Sequence, residues 1–451
     1  MRKFYKHLLI GLLLCSATVT QAATMSFTTN KAVGETFAIA MNPGLTVTVT
    51  WANGEKETFV TDGSMQTLTL ASSAFTLETD TEVTSLYVAG NGLTNMDLTN
   101  ISSSLKKLYC GNNELVTLNL TNFKNLAEID AQGNKLTTFK VYGPQIVNGS
   151  DNQLATFAVS LLPRLKQVYL ADNQLKGLGV SSMTGVEQLF LQRNAIKTLK
   201  LNKCTSLKVL SVSNNDLTAL DTKGLNNLTD IWAGDNELKQ LDVTSCGSLQ
   251  SLVVPNSGLT TVTWNEDCKK TLSLVDLSNN SLFYNSFPTT RNNKVLTTAI
   301  LAPQNPYPLV EEGYVYTNEE YNWGNGKYEP MSTNGWGQSS APMISIIDSN
   351  NNELTESKTA EGGDYKNYIR RITFWDSAFG KTVSIKATSS YYPDIVLTTT
   401  PFLVTTPTGI NGVTTDNNQE KPAVYYNLNG QHVDKPTHGI YIANGKKVII
   451  R

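Results

Sequence analysis

Three histidines, five cysteines and scattered carboxylates are what the chain offers for nucleophilic or metal chemistry. His7 lies close to the N-terminus, while His432 and His438 lie near the C-terminus. The body of the chain therefore has no imidazole for a Ser-His-Asp or Cys-His site. No HExxH, GxxxxGK[ST] or GxSxG stretch occurs, which removes the zinc-protease, phosphate-cradling and serine-hydrolase signatures. Two carboxylates can hydrolyse a glycosidic bond, but Glu311/Glu312 and Glu319/Glu320 are sequence neighbours, the arrangement of solvated pairs. DSNNNE at 348–353 supplies oxygen ligands without the spacing of a calcium loop. AEGGDY and NWGNGKYEP read as glycine-rich turns. No catalytic residue, metal or cofactor is expected. A glycoside-hydrolase-type enzyme in residues 304–405 is the weakest of the three functional readings.

The elements that must position any site are set by a repeat. LKKLYCGNNELVTLNL at 105–120 fits neither a helical stripe nor strand alternation. It fits the frame L-x-x-L-x-L-x-x-N-x-L-x-x-L-x-L. The asparagine position recurs in nearly equal steps at Asn91, Asn113, Asn134, Asn152, Asn173, Asn194, Asn215, Asn236, Ser257 and Asn280. Such a period belongs to the leucine-rich repeat and predicts a solenoid: one short parallel strand, a turn and an irregular return per coil. Leu105, Leu108, Cys110, Leu115, Leu118 and Leu120 then all point inward from one coil. Each asparagine sits where the strand turns, and its carboxamide both donates and accepts. These residues form a structural ladder that pairs turn backbone groups.

The same frame places the cysteines. Cys110 takes a core leucine position, as a free thiol can. Cys204 and Cys246 fall two coils apart, about 10 Å, too far for a bond. Cys246 and Cys268 fall in neighbouring coils at nearly equal phase, which leaves a disulfide or two buried thiols open, the thiols being favoured. The absence of CxxC pairing argues against zinc.

Strand residues alternate faces, so those flanking the inward leucines face the concave surface. Four positions before each ladder residue stand Tyr87, Tyr109, Asp130, Asn148, Tyr169, Phe190, Ser211, Trp232, Val253 and Asp276. Two positions before it the residues are mostly small, such as Ala89, Gly111 and Gly234. Tyr87, Tyr109, Asp130, Tyr169, Phe190 and Trp232 are the candidate ligand-binding residues, with ring faces open to a partner. The plainer reading is that aromatics suit strands and stack between coils. Glu128, Asp130, Asp151, Asp172, Asp230 and Asp235 suit a polar ligand, a protein or a glycan.

With units such as LSVSNNDLTALDTKGLNNL, residues 83–302 resemble the secreted leucine-rich-repeat proteins of Bacteroidetes-type bacteria. The resemblance implies an N-terminal β-cap over residues 24–82, where LTVTVTWANGEKETFV reads as a hairpin. AILAPQNPYPL closes the last coil. Residues 303–408 hold strand-like runs and read as an immunoglobulin-like β-sandwich, without the Cys…Trp…Cys hallmark. Residues 409–451 are a linker and tail. Asn427, Leu428, Asn429, Gly430 and Gln431, then Gly439, Ile440 and Tyr441, then NGKKVII, resemble the sorting tails of type IX secretion, which implies contact with outer-membrane secretion machinery.

Residues 1–22 have a basic start, an apolar run at 8–14 and small residues before a cut after Ala22, the form of a signal peptide. A lipoprotein cut before Cys15 is the alternative. No later segment reaches the ~18 apolar residues of a spanning helix. Losing Arg2, Lys3 and Lys6 takes the formal charge from −2 to −5, and the basic patch of a nucleic-acid binder is absent. The expectation is a secreted or outer-surface recognition protein that binds a protein or glycan on its concave face. A structural envelope or matrix component without a specific ligand is the alternative.

Overall fold

The computed structural model describes residues 23–160, 164–180, 183–283, 286–288, 295–306, 313–322, 343–368, 371–389 and 392–406. In the tail it describes the strands Tyr425–Tyr426, His432–Val433, Gly439–Ala443 and Lys446–Ile450. Residues 1–22, Glu311, Glu312, 323–330, 407–424, 427–431 and His438 lie outside the described residues. The chain divides into two compact units. One holds Met1–Asn280 with Thr290–Ala302, the other Ser281–Thr289 with Pro303–Arg451.

In the first unit each repeat opens with a three-residue strand, such as Lys107–Tyr109, Gln188–Phe190 or Asp230–Trp232. The central residue is apolar and points inward: Leu108, Leu189 and Ile231 are fully buried. Its neighbours point to the concave face. The strands pair in parallel, coil on coil, within a 13-stranded sheet to which Thr36–Met41 and Gln66–Thr69 of the cap add antiparallel strands. The strands are short because the chain turns sharply before each ladder residue. Asn112, Asp151, Asp172, Asn214, Asp235 and Asn279 all take φ of 54–55° there. Asn and Asp tolerate this left-handed region better than other non-glycine residues. Arg193 takes it too, at φ 55°.

The ladder asparagines then knit each turn to the next. Asn215 Nδ2 donates to Leu191 O one coil back (3.1 Å) and to Val212 O in its own turn (3.0 Å). Its Oδ1 accepts the Ile196 N–H at 3.0 Å. Asn134, Asn152, Asn194 and Asn236 bond in the same pattern. Where the rung is Ser257, the hydroxyl reaches Ala233 O (3.1 Å) and Pro255 O (3.0 Å). In the second unit Gln304 supplies an equivalent acceptor, taking the Leu282 N–H at 2.9 Å. The leucine frame did not mark Gln304, because it is an amide one methylene longer, set slightly beyond the repeat step from Asn280.

The core is a stack of leucines, with Leu105, Leu108, Cys110, Leu115, Leu118 and Leu120 all buried from one coil. The returns are more regular than expected. Thr117–Leu120, Thr138–Tyr142 and Ala158–Ser160 form a second parallel sheet, and Gln240–Asp242 pairs with Thr261–Thr263. Phe139, on this side, fills the coil so closely that a Cβ at Gly149 would sit 2.9 Å from its ring.

The cap is a sheet of Lys56–Val60, Thr46–Trp51, Ala74–Thr79, Ala23–Thr29 and Leu93–Asp97. Thr46–Trp51 and Lys56–Val60 form the expected hairpin. Leu93–Asp97 belongs to the first coil, so cap and solenoid share a sheet. Phe27, Phe37, Trp51 and Phe75 cluster beneath it, with Phe75 5.0 Å from both Phe37 and Trp51.

Before the tail, the described strands of the second unit form two sheets. One contains Tyr314–Tyr316, Phe402–Thr405, Thr382–Ser389 and Met343–Asp348, with Tyr392–Thr398 also paired to Thr382–Ser389. The other contains Glu320–Asn322, Arg371–Phe374 and Tyr365–Tyr368. Alternation buries Val383, Ile385 and Ala387, and Phe374 meets Phe402 edge-on at 5.8 Å. The tail strands form a four-stranded antiparallel sheet. Among the described residues no helix is long and apolar enough to cross a membrane.

Candidate functional site

The concave column is continuous in the fold. Tyr87, Tyr109, Asp130, Asn148, Tyr169, Phe190, Ser211, Trp232, Val253 and Asp276 are successive cross-strand partners. All are half-buried except Ser211, which is buried. The rings stack on one another between coils, as in the plainer of the two sequence readings. Tyr87 and Tyr109 lie 4.3 Å apart at 5°, and Tyr169 and Phe190 lie 4.9 Å apart at 8°. Phe190 and Trp232 are two strands apart, about 10 Å by strand spacing, yet their centroids are 6.5 Å apart. They lean together over Ser211, whose small side chain leaves the space. Tyr169, Phe190 and Trp232 thus form one apolar slab.

Polar groups frame the rings. Tyr169 donates its hydroxyl to Gln188 Oε1 at 3.1 Å. Burial, then the hydrogen bond and charge of Glu128, push the Tyr109 phenol pKa up, which keeps it a neutral donor. Glu128 also meets Lys107 at 3.5 Å. Asp130 has its pKa raised by burial; the Gln132 N–H opposes that shift and the Glu128 charge adds to it. Glu187 lies between Lys166 (3.0 Å) and Lys208 (2.8 Å), and Asp172 holds the Arg193 guanidinium, Oδ2 to Nη2 at 2.6 Å. Asp235 accepts from the amides of Asn214 (3.3 Å) and Asn256 (2.8 Å). Asp230 accepts from Thr229 Oγ1 at 2.7 Å. Asp151 is exposed at the corner of its own turn.

Two polar atoms on this face were invisible in the sequence. The Ser251 hydroxyl and Gln192 Oε1 are buried without a hydrogen-bond partner. Both belong to concave columns, but only the packing of their neighbours reveals the lack of a donor.

The disulfide left open between Cys246 and Cys268 is not formed. Both are free and buried, and Cys268 Sγ lies 3.1 Å from Cys246 O. Cys110 and Cys204 are also free and buried. Burial pushes the Cys110 thiol up to about 12 and the other three up to about 11, so none is an activated nucleophile. Asp348 spends its carboxylate within its own turn, Oδ1 accepting from the Asn350 (2.8 Å) and Asn352 (2.9 Å) N–H groups and Oδ2 from Asn352 Nδ2. No cluster of three metal-ligating side chains occurs among the described residues. A cleft of about 330 Å³ on the return side, at Asp221 and Asp242, has its carboxylates committed to the Lys223 and Thr244 N–H groups.

The chain is a leucine-rich-repeat solenoid protein with an N-terminal β-cap and a C-terminal β-sandwich-like domain. No family model and no curated protein matches the sequence. Among solved structures, the functional domain of InlJ from Listeria monocytogenes is 18% identical and covers 74% of this chain and 94% of its own, with a TM-score of 0.31. The leucine-rich effector YopM from Yersinia pestis is 20% identical, covering 50% of this chain and 67% of its own at a TM-score of 0.38. A chain of the octameric complex of Latrophilin 3, Unc5D and FLRT2 is 18% identical, covering 50% and 82% at 0.34. Likenesses of this size carry no argument about what the chain binds.

Proposed function

We propose that the chain is a non-enzymatic recognition protein that binds a protein partner on the concave face of its solenoid, outside the cell. The observation that carries this reading is the in-register column of half-exposed rings beside a column of small residues. Its apolar slab between amides and carboxylates has the make-up of an interaction hot spot. A glycan is less well served. Sugars dock on open ring faces, and Tyr87, Tyr109, Tyr169 and Phe190 give a face to each other. Export by residues 1–22, and sorting by residues 409–451 through outer-membrane secretion machinery of the type IX kind, belong to the same proposal and rest on the sequence patterns alone.

The test is crosslinking from a photoreactive phenylalanine analogue at Tyr169 to host-surface proteins, followed by affinity measurement with each captured protein. Replacing Tyr169, Phe190 and Trp232 together by alanine should weaken binding at least about 100-fold, while Tm falls by only a few degrees. Undiminished affinity in the triple variant would rule out the concave face. The same stacking favours a second reading, in which the rings only tie coils together in an envelope or matrix component. No reproducible partner on protein or glycan arrays would support it.

A further inference from the structure

We propose that the coil of Trp232 forms a specificity pocket that takes an arginine side chain of the partner protein. The proposal rests on the concave-face reading and assigns that surface its chemistry.

Asp230 and Trp232 are two residues apart on one strand, so their side chains stand on the same face. In the coils before it, Asp172 is paired with Arg193 and Glu187 with Lys166 and Lys208. Asp230 and Asp235 have no cation partner among the described residues; each accepts only from neutral groups. The Trp232 coil therefore carries an unneutralised carboxylate, Asp230, on the same strand face as the ring that binds cations best, and a second, Asp235, at its turn.

A second, independent observation points into the same place. Ser251 is the cross-strand partner of Asp230. It is only 6% exposed, and its hydroxyl has no partner. On the other flank of the slab, two residues beyond Phe190, Gln192 Oε1 is likewise buried without a donor. A buried acceptor without a donor is costly, and the unpaired or anionic oxygens around this slab want donors.

One side chain matches all three features. Guanidinium has five N–H donors and no acceptor. It stacks flat on an aromatic face and donates two parallel bonds to a carboxylate. One face of Trp232 is turned to Phe190; on its other side the neighbouring strand carries Ser251 and Val253, the register partners of Asp230 and Trp232. An arginine there would stack on the indole, pair with Asp230 and leave an N–H for Ser251. Lysine would keep the charge and lose the fork.

The test selects binders from a phage library of random dodecapeptides on the immobilised full chain. Each selected peptide is then measured on the Tyr169→Ala/Phe190→Ala/Trp232→Ala protein, and those that lose affinity there are taken as concave-face binders. These peptides should share an arginine. Changing it to lysine should weaken binding about threefold, and to citrulline about tenfold or more. Asp230→Asn, nearly isosteric and with its Thr229 bond retained, should lose about 10- to 100-fold with unchanged Tm, and affinity should fall with salt. Concave-face peptides without a basic residue, or with equal affinity for Asp230→Asn, would overturn the arginine pocket and leave the concave-face reading standing. If every selected peptide binds the triple variant as well as the native chain, the concave face itself fails.

Discussion

Asn215 shows what one ladder residue contributes. It is 8% exposed and joins two coils through Leu191 O, Val212 O and the Ile196 N–H. Asn215→Ala leaves several of these groups unpaired, and should lower unfolding free energy by about 2–4 kcal/mol in urea. Asn215→Ser should lose less, because Ser257 already serves as a rung. A serine has one proton and cannot reproduce both roles. At its rung Lys239 donates to Ser257 O at 3.4 Å and adopts φ 59°. Asp130 gives a pH-dependent counterpart. Its folded pKa is raised, so the folded state holds its proton more tightly than the unfolded state does. The charged form therefore opposes folding above the folded pKa, and that opposition disappears as pH falls below the unfolded value near 3.9. Asp130→Asn should raise Tm by about 1–2 °C at pH 7 and by nothing at pH 3. Equal shifts at both pH values would mean that charge is not the cause.

At the scale of elements, the cap exists because a coil cannot bury its own end. Thr36–Met41 pairs with Ser85–Tyr87, the Ala40 and Met41 positions facing Tyr87 and Leu86. Leu93–Asp97 leaves the first coil to pair with Ala23–Thr29. A chain starting at residue 83 would expose Leu86, Val88 and Leu93, which are now fully buried. It should aggregate on expression, seen as rising light scattering. A soluble monomer with unchanged circular dichroism would show that the cap is dispensable. The hairpin in the cap was legible because alternation and a turn are local signals. The sharing of a sheet between cap and first coil was not, since Thr29 and Leu93 pair across the whole length of the cap sequence. The parallel sheet on the return side was also missed: its strands pair only with the coils above and below.

At the scale of the molecule, the solenoid is held by contacts between successive coils, so opening should spread from its ends. The buried thiols report this directly. In urea below the unfolding midpoint, Cys204, in mid-solenoid, should be the last labelled by a thiol reagent, after Cys110 and Cys268; simultaneous labelling would indicate a single cooperative unit. The sequence by itself determined the coil repeat, the inward leucines, the asparagine ladder and the concave column. Each follows from spacing along the chain, and every coil solves the same packing problem. Only the tertiary structure decided that Ser211 lets Phe190 and Trp232 close over it, that Gln304 takes up an acceptor's role, that Asp230 has no cation where Asp172 has Arg193, and that the Ser251 hydroxyl has no hydrogen-bond partner. Those outcomes depend on the sizes and charges of side chains that meet only when residues one coil or more apart come within one strand spacing.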